Sequence, residues 1–245
     1  MFNLLYSEIV KLKRCYMLLI IISCGIFIPV IDFIHYLTFP QKINLESYVS
    51  LGEFATFALV IIMITTFLSS YVFLREYTDN VIRVLYSYPI NKISIFISKL
   101  IIIFMIITLI YVLHFIALFG GGLLLYKGGL LIENVNINKE FFFIHLRMHL
   151  FSMILLFSIV PLLIFITNLF KNLIVTVVIG VLGIVTNLLT VETEWCIYSP
   201  FMMPGIPYLA LSNSINIANM VVLALVFLIV GVMLCTYQFL KLEEL

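Results

Sequence analysis

Two histidines at helical spacing come nearest to a catalytic pattern in this sequence. His145 and His149 stand four residues apart in the stretch HLRMH, so they share one face of a helix. Two imidazoles at that spacing can bind one metal ion, and Glu140 lies nearby. The metalloprotease motif needs a glutamate directly after the first histidine, where this sequence has Leu146. Beside Arg147 the pair is more typical of solvated interfacial residues, and no metal site is predicted.

Other candidate patterns give no catalytic residue either. Asp32 and His35 lie one helical turn apart, where they can form a pH-sensitive pair or face headgroups or the interior of a helix bundle. The stretch GGGLLLYKGG at 120–129 lacks the glycine-lysine step of a phosphate-binding loop. No serine has an adjacent base. The sequence therefore predicts that this chain is not an enzyme and holds no cofactor of its own.

The composition is that of an integral membrane protein. Of the 245 residues 64% are hydrophobic and 10% are charged, whereas soluble domains are about 45–50% apolar and about 25% charged. The mean hydropathy is +1.26. A net charge of +1 without a basic tract gives no indication of nucleic-acid binding.

Six segments are long and apolar enough to cross a membrane, which takes about 20 residues of helix. They are 16–37, 54–74, 99–125, 148–170, 172–191 and 219–240. The predicted fold class is therefore all-α integral membrane, with six transmembrane helices in a single domain over 1–245. Lysine and arginine residues concentrate in the connections on the side of the amino terminus. By the positive-inside rule both termini are cytoplasmic, in a multi-pass protein of the plasma membrane.

The first 15 residues have the pattern of an interfacial helix. Apolar residues recur at spacings of three and four, namely Phe2, Leu5, Ile9, Leu12 and Tyr16. Glu8 and Lys11 occupy another face. We expect 1–15 to lie in the inner interface of the membrane, the alternative being a simple extension of the first span.

The connection before the last span, 192–218, is apolar but broken. Pro200, Pro204 and Pro207 prevent one continuous helix. Non-helical backbone survives at membrane depth only where protein covers it or where it lines a wet cavity. We therefore expect short re-entrant helices at the outer side, the alternative being a proline-rich external loop.

The inner connection, 75–98, has the pattern of a helix, a break and a second helix. An apolar stripe consists of Val81, Ile82, Leu85 and Tyr86. The opposite face carries Arg75, Glu76, Asp79 and Arg83. Pro89 ends the first helix, and Asn91 can cap the next. Exposed aromatic residues suit a docking surface, and the alternative is a helix that packs only on lipid headgroups.

This connection resembles the inner loop of type-2 ABC exporter permeases. The residues that carry the resemblance are Arg75-Glu76, Leu85, Tyr88-Pro89-Ile90 and Lys92. The YPI stretch and SPFMMP at 199–204 are similar to permeases of bacitracin and lantibiotic self-protection. Many members have Gly-Thr in the middle of the loop, where this chain has Asn80-Val81.

The resemblance implies a transporter subunit whose inner loop is a coupling helix, seated in a cleft of a separate ATPase subunit that binds ATP and Mg²⁺. The residues assigned to this contact are Glu76, Val81, Arg83, Leu85, Tyr86 and Pro89. Changing Glu76 or Tyr86 is expected to uncouple ATP hydrolysis from transport without unfolding the permease. A second permease, identical or related, and membrane lipid complete the expected partners.

The resemblance also implies export of an amphipathic or antimicrobial peptide. Aromatic residues of the outer segment are candidates for its path, namely Trp195, Tyr198, Phe201 and Tyr208. An interfacial aromatic belt is the alternative interpretation of these four. Two other functions stay open: an ion-gradient secondary transporter with polar residues such as His114, Asn168 and Asn187, and an intramembrane metalloprotease that holds zinc at His145 and His149.

Overall fold

The computed structural model describes residues 2–13, 17–39, 43–78, 92–131, 139–209 and 217–241, and every regular element within these ranges is helical. Nine α-helices occur there: α1 Phe2–Lys13, α2 Met17–Thr38, α3 Leu45–Ala55, α4 Ile61–Thr78, α5 Lys92–Lys127, α6 Lys139–Phe170, α7 Leu173–Thr190, α8 Ile206–Leu209 and α9 Ile217–Lys241. The predicted all-α class is confirmed.

Five helices in the described ranges are long and apolar enough to cross a membrane. They are Leu45–Tyr77, Ile93–Lys127, Glu140–Phe170, Leu173–Thr190 and Ala218–Gln238. A sixth apolar helix, Ile22–Thr38, is shorter. The chain is therefore a multi-pass membrane protein, and the count of six spans stays a prediction.

Helices begin inside two stretches that hydropathy assigned to connections, α3 at Leu45 within 38–53 and α6 at Lys139 within 126–147. The side chain of Asn44 caps α3 by accepting a hydrogen bond from the backbone N–H of Ser47, at 2.9 Å. One face of α3 is then buried against α5 through Leu45 and Tyr48. The hydropathy pattern did not predict this helix or the first turns of α6, because each carries charged or histidine side chains. Among these, Glu53 and His145 pair with each other although they are 92 residues apart in the sequence.

A π-helical turn, Thr56–Val60, joins α3 to α4. The N–H of Ile61 bonds to the carbonyl of Thr56, five residues back. Such turns occur mostly as single insertions in α-helices and frequently at functional sites. Here the turn brings Phe57 into the centre of the bundle, where the ring is buried.

The α4 helix is the central element of the bundle and packs against both α6 and α7. Its contact with α7 depends on Gly180, where a Cβ atom would lie 2.5 Å from Thr66 Oγ1. On the flanks, α2 packs on α5 and α9 packs on α6. The bundle therefore has two long scaffold helices, α5 and α6, with α4 between them.

The face of α1 that contacts the protein differs from the predicted apolar stripe. Leu12 is buried and Leu5 packs on the core, but Ile9 is 43% exposed. Glu8, assigned to another face, is buried. The helix is rotated in this way because its charged residues have charged partners inside the protein, and its place at the membrane interface stays a prediction.

The broken segment contains two 3₁₀ turns, Glu194–Tyr198 and Pro200–Met202, followed by α8. Met202, Met203 and Ile206 are buried, so protein covers this part of the irregular backbone. The prolines thus break the chain as predicted, and the depth of the segment in the membrane stays a prediction.

One side chain, Asn187 of α7, holds the broken segment to the π-turn. Its Nδ2 donates to the carbonyl oxygens of Ala58 at 2.9 Å and Phe201 at 3.0 Å. Its Oδ1 accepts a hydrogen bond from Ser199 Oγ at 3.2 Å. This amide satisfies backbone oxygens of two irregular elements at once, which explains a polar residue in an otherwise apolar helix.

Replacing Asn187 with leucine is expected to lower the free energy of unfolding by about 1–2 kcal/mol, because buried polar groups lose their partners. We also expect maleimide to label the Cys196 thiol faster, since that residue is only 5% exposed in the native protein. The labelling is best measured with Cys15 and Cys24 replaced by serine.

Asn168→Leu is the matched control, because neither side-chain polar atom of Asn168 has a hydrogen-bond partner in the described protein. This variant should keep wild-type stability and labelling. Equal behaviour of the two asparagine variants would show that Asn187 does not hold the segment.

Candidate functional site

A buried group of charges lies where the inner connection leaves and re-enters the bundle. Glu76, near the end of α4, places Oε2 2.6 Å from the ammonium of Lys99 on α5. Its Oε1 lies 3.0 Å from the ammonium of Lys11 on α1. The side chains of Glu76 and Lys99 are 9% and 4% exposed. We call Glu76, Lys99 and Lys11 the coupling root.

Further contacts fix the geometry of the coupling root. Lys11 also pairs with Glu8 one turn away, and Arg75 donates from Nη1 to the Lys11 carbonyl at 2.7 Å. Partial burial lowers the pKa of Lys11, but its hydrogen bonds to Glu8 and Glu76 more than offset this effect, so the pKa lies above its ordinary value. The α1 helix is thereby tied to both helices that flank 79–91.

Most of the predicted coupling residues, Val81, Arg83, Leu85, Tyr86 and Pro89, lie outside the described residues, and their roles stay predictions. The structure places Glu76 inside the protein. Its carboxylate is engaged by two lysines of this chain, so a cation of a partner would have to displace one of them to reach it. Any part of Glu76 in coupling acts through the coupling root, and its substitution is expected to affect stability as well.

The four aromatic residues predicted for a substrate path divide into two pairs. Trp195 and Tyr198 are 72% and 59% exposed, with ring centroids 5.9 Å apart. Tyr208 is buried and stacks on Phe57, with 5.3 Å between ring centroids. Phe201 packs against Gly183, where a Cβ atom would lie 2.5 Å from the ring. Only Trp195 and Tyr198 are thus free to contact another molecule directly.

The prediction that His145 and His149 are solvated is wrong. They are 2% and 4% exposed, and both ring Nδ1 atoms face the carboxylate of Glu53 on α3. The distances are 3.1 Å from His145 to Oε2 and 3.5 Å from His149 to Oε1. Burial is possible here because a carboxyl group from another helix faces both imidazoles. We call Glu53, His145 and His149 the histidine cluster.

A third imidazole lies beside the histidine cluster. The ring of His114 on α5 stacks on His149 with centroids 5.6 Å apart. Its Nε2 is 2.9 Å from Thr56 Oγ1 at the start of the π-turn. Among the residues that the structure describes, no group of three or more histidine, cysteine or acidic side chains has the spacing to hold a metal ion.

The other predicted ionisable pair is not buried as a unit. Asp32 is half-buried beside Gly52, where a Cβ atom would lie 3.1 Å from Asp32 Oδ2. His35 is exposed, with its ring 5.3 Å from that of Tyr36. The buried ionisable side chains near the π-turn are therefore those of the histidine cluster and His114, and not those of this pair.

Sequence reasoning missed Glu53, Lys99 and Lys11 as site residues. Glu53 precedes the apolar run of the second predicted span, and Lys99 begins the third. A charged residue directly at the edge of a long apolar run is the signal that was present. Nothing in the sequence shows which charges meet.

One family model matches the chain. Its description is ABC-2 family transporter protein, and the match covers residues 4–187, about three quarters of the chain. The matched part includes α1, the coupling root and the histidine cluster, and it ends before the broken segment and α9. No curated protein matches the chain.

Proposed function

This chain belongs to the ABC-2 transporter family, and on that basis we propose that it is the permease of an ATP-driven exporter for amphipathic peptides. Members of this family are membrane subunits of ABC transporters, so the chain works with an ABC ATPase. In the proposed assembly ATP and Mg²⁺ bind on that partner, and two permeases, identical or related, form the transport path.

The observation that carries this proposal is the coupling root. The Glu76–Lys99 pair joins the last turn of α4 to the second turn of α5 at a distance of 2.6 Å, and these two helices flank 79–91 in the sequence. Buried, hydrogen-bonded ion pairs are short and directional. A force applied to 79–91 by an ATPase is therefore passed to α4 and α5 together, as a coupling element requires.

The proposed orientation places 79–91 in the cytoplasm and the broken segment at the outer side, in line with the distribution of lysine and arginine. The two sites lie at opposite ends of α4, which connects the π-turn to Glu76. The exposed pair Trp195 and Tyr198 would then meet an amphipathic peptide in the outer leaflet. Peptides of the bacitracin or lantibiotic type have the required amphipathic character, in agreement with the resemblance of YPI and SPFMMP.

Tyr86→Ala is expected to weaken ATPase binding by roughly 30-fold, the effect of losing an aromatic anchor from an interface core. The permease is purified from its native membrane with its partners, and recovery of the ATPase and its hydrolysis rate are measured. Tyr237→Ala is the matched control, since Tyr237 is a tyrosine 64% exposed on α9.

The control should recover the ATPase at the wild-type level. Wild-type permease that is intact but never accompanied by an ATPase would contradict the proposed function. Equal recovery with Tyr86→Ala and Tyr237→Ala would instead show that coupling does not depend on the predicted apolar stripe.

A further inference from the structure

The protonation of His149 follows from its hydrogen bonds. Its Nε2 lies 2.9 Å from the backbone carbonyl oxygen of Tyr111. A carbonyl oxygen only accepts, so Nε2 carries the hydrogen. A neutral imidazole then has a bare lone pair on Nδ1. That nitrogen is 3.5 Å from Glu53 Oε1.

The carboxyl group of Glu53 also has an oxygen that lacks a hydrogen-bond donor. Its Oε2 is paired with His145 Nδ1 at 3.1 Å, but Oε1 has no hydrogen bond although the residue is 0% exposed. With a neutral His149, an ionised Glu53 would place two lone pairs against each other. It would also leave one oxygen of a buried carboxylate without a hydrogen-bond donor, which is costly in a water-excluded site.

Neighbouring hydroxyl groups do not supply the hydrogen that Glu53 Oε1 lacks. The Tyr208 hydroxyl lies 3.5 Å from His149 Nδ1 and can donate there, but Oε1 has no partner even so. Thr56 Oγ1 donates to the Gly52 carbonyl at 2.8 Å, so it accepts from His114 Nε2. Ser152 Oγ donates to the Pro204 carbonyl at 2.6 Å. It therefore accepts from the Tyr111 hydroxyl, 3.2 Å away.

Outside the histidine cluster, the described groups around Glu53 supply no cation. His114 Nδ1 has no partner, so an imidazolium there would bury an unsatisfied N–H group. Ion pairs of Glu53 in the described part of the chain are with histidines. The groups that face Glu53 or its helix are Asp32 on α2, Tyr48 on α3, Tyr111 and His114 on α5, His145 and His149 on α6, and Tyr208 on α8.

We propose that the histidine cluster is a proton-binding site, in which Glu53 and His149 share one exchangeable proton. Whether the proton resides on the carboxyl group or on the imidazole, the cluster gains the hydrogen bond between Oε1 and Nδ1. His145 donates to the other oxygen in both cases. This site goes beyond the transport function proposed above and does not depend on it.

The position of the cluster couples its proton to the broken segment. The ring centroid of Phe57, in the π-turn, lies 5.0 Å from that of His149. The ring of Tyr208, on α8, stacks on Phe57 with 5.3 Å between the centroids. The Tyr208 hydroxyl is 3.5 Å from His149 Nδ1. Loss of the proton leaves Glu53 Oε1 without a donor unless water enters, so it favours displacement of α8 from the cluster. Uptake of the proton favours its return.

The test is the unfolding temperature of the purified permease, without an ATPase, as a function of pH. The proton stabilises the folded state, so this contribution is present at low pH and lost as the pH rises. We expect the unfolding temperature of the wild type to fall by roughly 5 °C as the pH is raised from mildly acidic to mildly alkaline.

Glu53→Gln should remove this pH dependence while keeping the low-pH unfolding temperature. The glutamine oxygen accepts from His145 and its amide N–H donates to His149 Nδ1, so the variant reproduces the proton-bound cluster. Glu140→Gln is the matched control, an exposed carboxylate on the same helix as both histidines. It should keep the wild-type slope. Equal slopes in all three proteins would overturn the proposal.

A second measurement uses the wild type alone. The chain has 4 histidines, so ¹⁵N labelling of histidine gives few enough NMR signals to assign with single substitutions. His149 Nδ1 should show a protonated or hydrogen-bonded nitrogen at low pH and a bare one at high pH. A bare nitrogen throughout the range, or one tightly held zinc ion per chain whose removal by a chelator unfolds the protein, would overturn the proton site.

Discussion

Lys99→Met is expected to destabilise the permease by about 3–5 kcal/mol, which is the usual cost of removing one partner from a buried ion pair. The Lys99 ammonium donates to Glu76 Oε2 and, at 3.3 Å, to the Val72 carbonyl, and it lies 5.1 Å from the centre of the Phe73 ring. Methionine retains much of the aliphatic volume and removes the charge. Thermal unfolding in detergent, together with the yield of folded protein, measures the effect.

The control for this prediction is the double variant Lys99→Met/Glu76→Gln. Removing both charges leaves no uncompensated ion in the site, so most of the lost stability should return. Lys11 remains paired with Glu8 in this variant and is partly exposed to solvent. A double variant as unstable as Lys99→Met would show that the loss comes from packing and not from the unpaired Glu76 carboxylate.

Gly231→Leu is expected to detach α9 from α6, at a cost of about 3 kcal/mol because the obstacle is backbone. A Cβ atom on residue 231 would lie 2.8 Å from the backbone nitrogen of Leu162 and 3.1 Å from Pro161 Cβ. One turn along α9, Cys235 Sγ donates to the Pro161 carbonyl at 3.0 Å. The Cys235 thiol is 0% exposed, so its labelling by maleimide reports separation of the two helices.

Gly120→Ala is the matched control for a glycine in a long helix. A Cβ atom there meets nothing within 4 Å, so the higher helix propensity of alanine should make this variant as stable as the wild type or slightly more so. Cys235 should stay protected. If Gly231→Leu also leaves the thiol protected and the unfolding temperature unchanged, the close contact of α9 with α6 is not required for the fold.

The amino-acid sequence alone determined the class of the protein. Long apolar runs predicted membrane helices, and the dense prolines after α7 predicted a broken segment, because each signal depends on residues that are neighbours in the chain. The residues around 75–92 also indicated the transporter family, which the family match over 4–187 confirms. The positions of Lys and Arg predicted the orientation, which stays a prediction.

Only the tertiary structure decided which polar residues meet. Glu53 and His145 are 92 residues apart, and Lys11 and Glu76 are 65 apart. A hydropathy scale gives each of these side chains an unfavourable free energy of insertion and so predicts that it lies outside the membrane helices. In the folded protein a partner from a distant helix offsets that cost. The second membrane helix therefore begins at Leu45, earlier than the predicted residue 54, and α1 turns Glu8 toward the protein. Which charges pair across the bundle depends on the fold, and local sequence patterns therefore do not predict it.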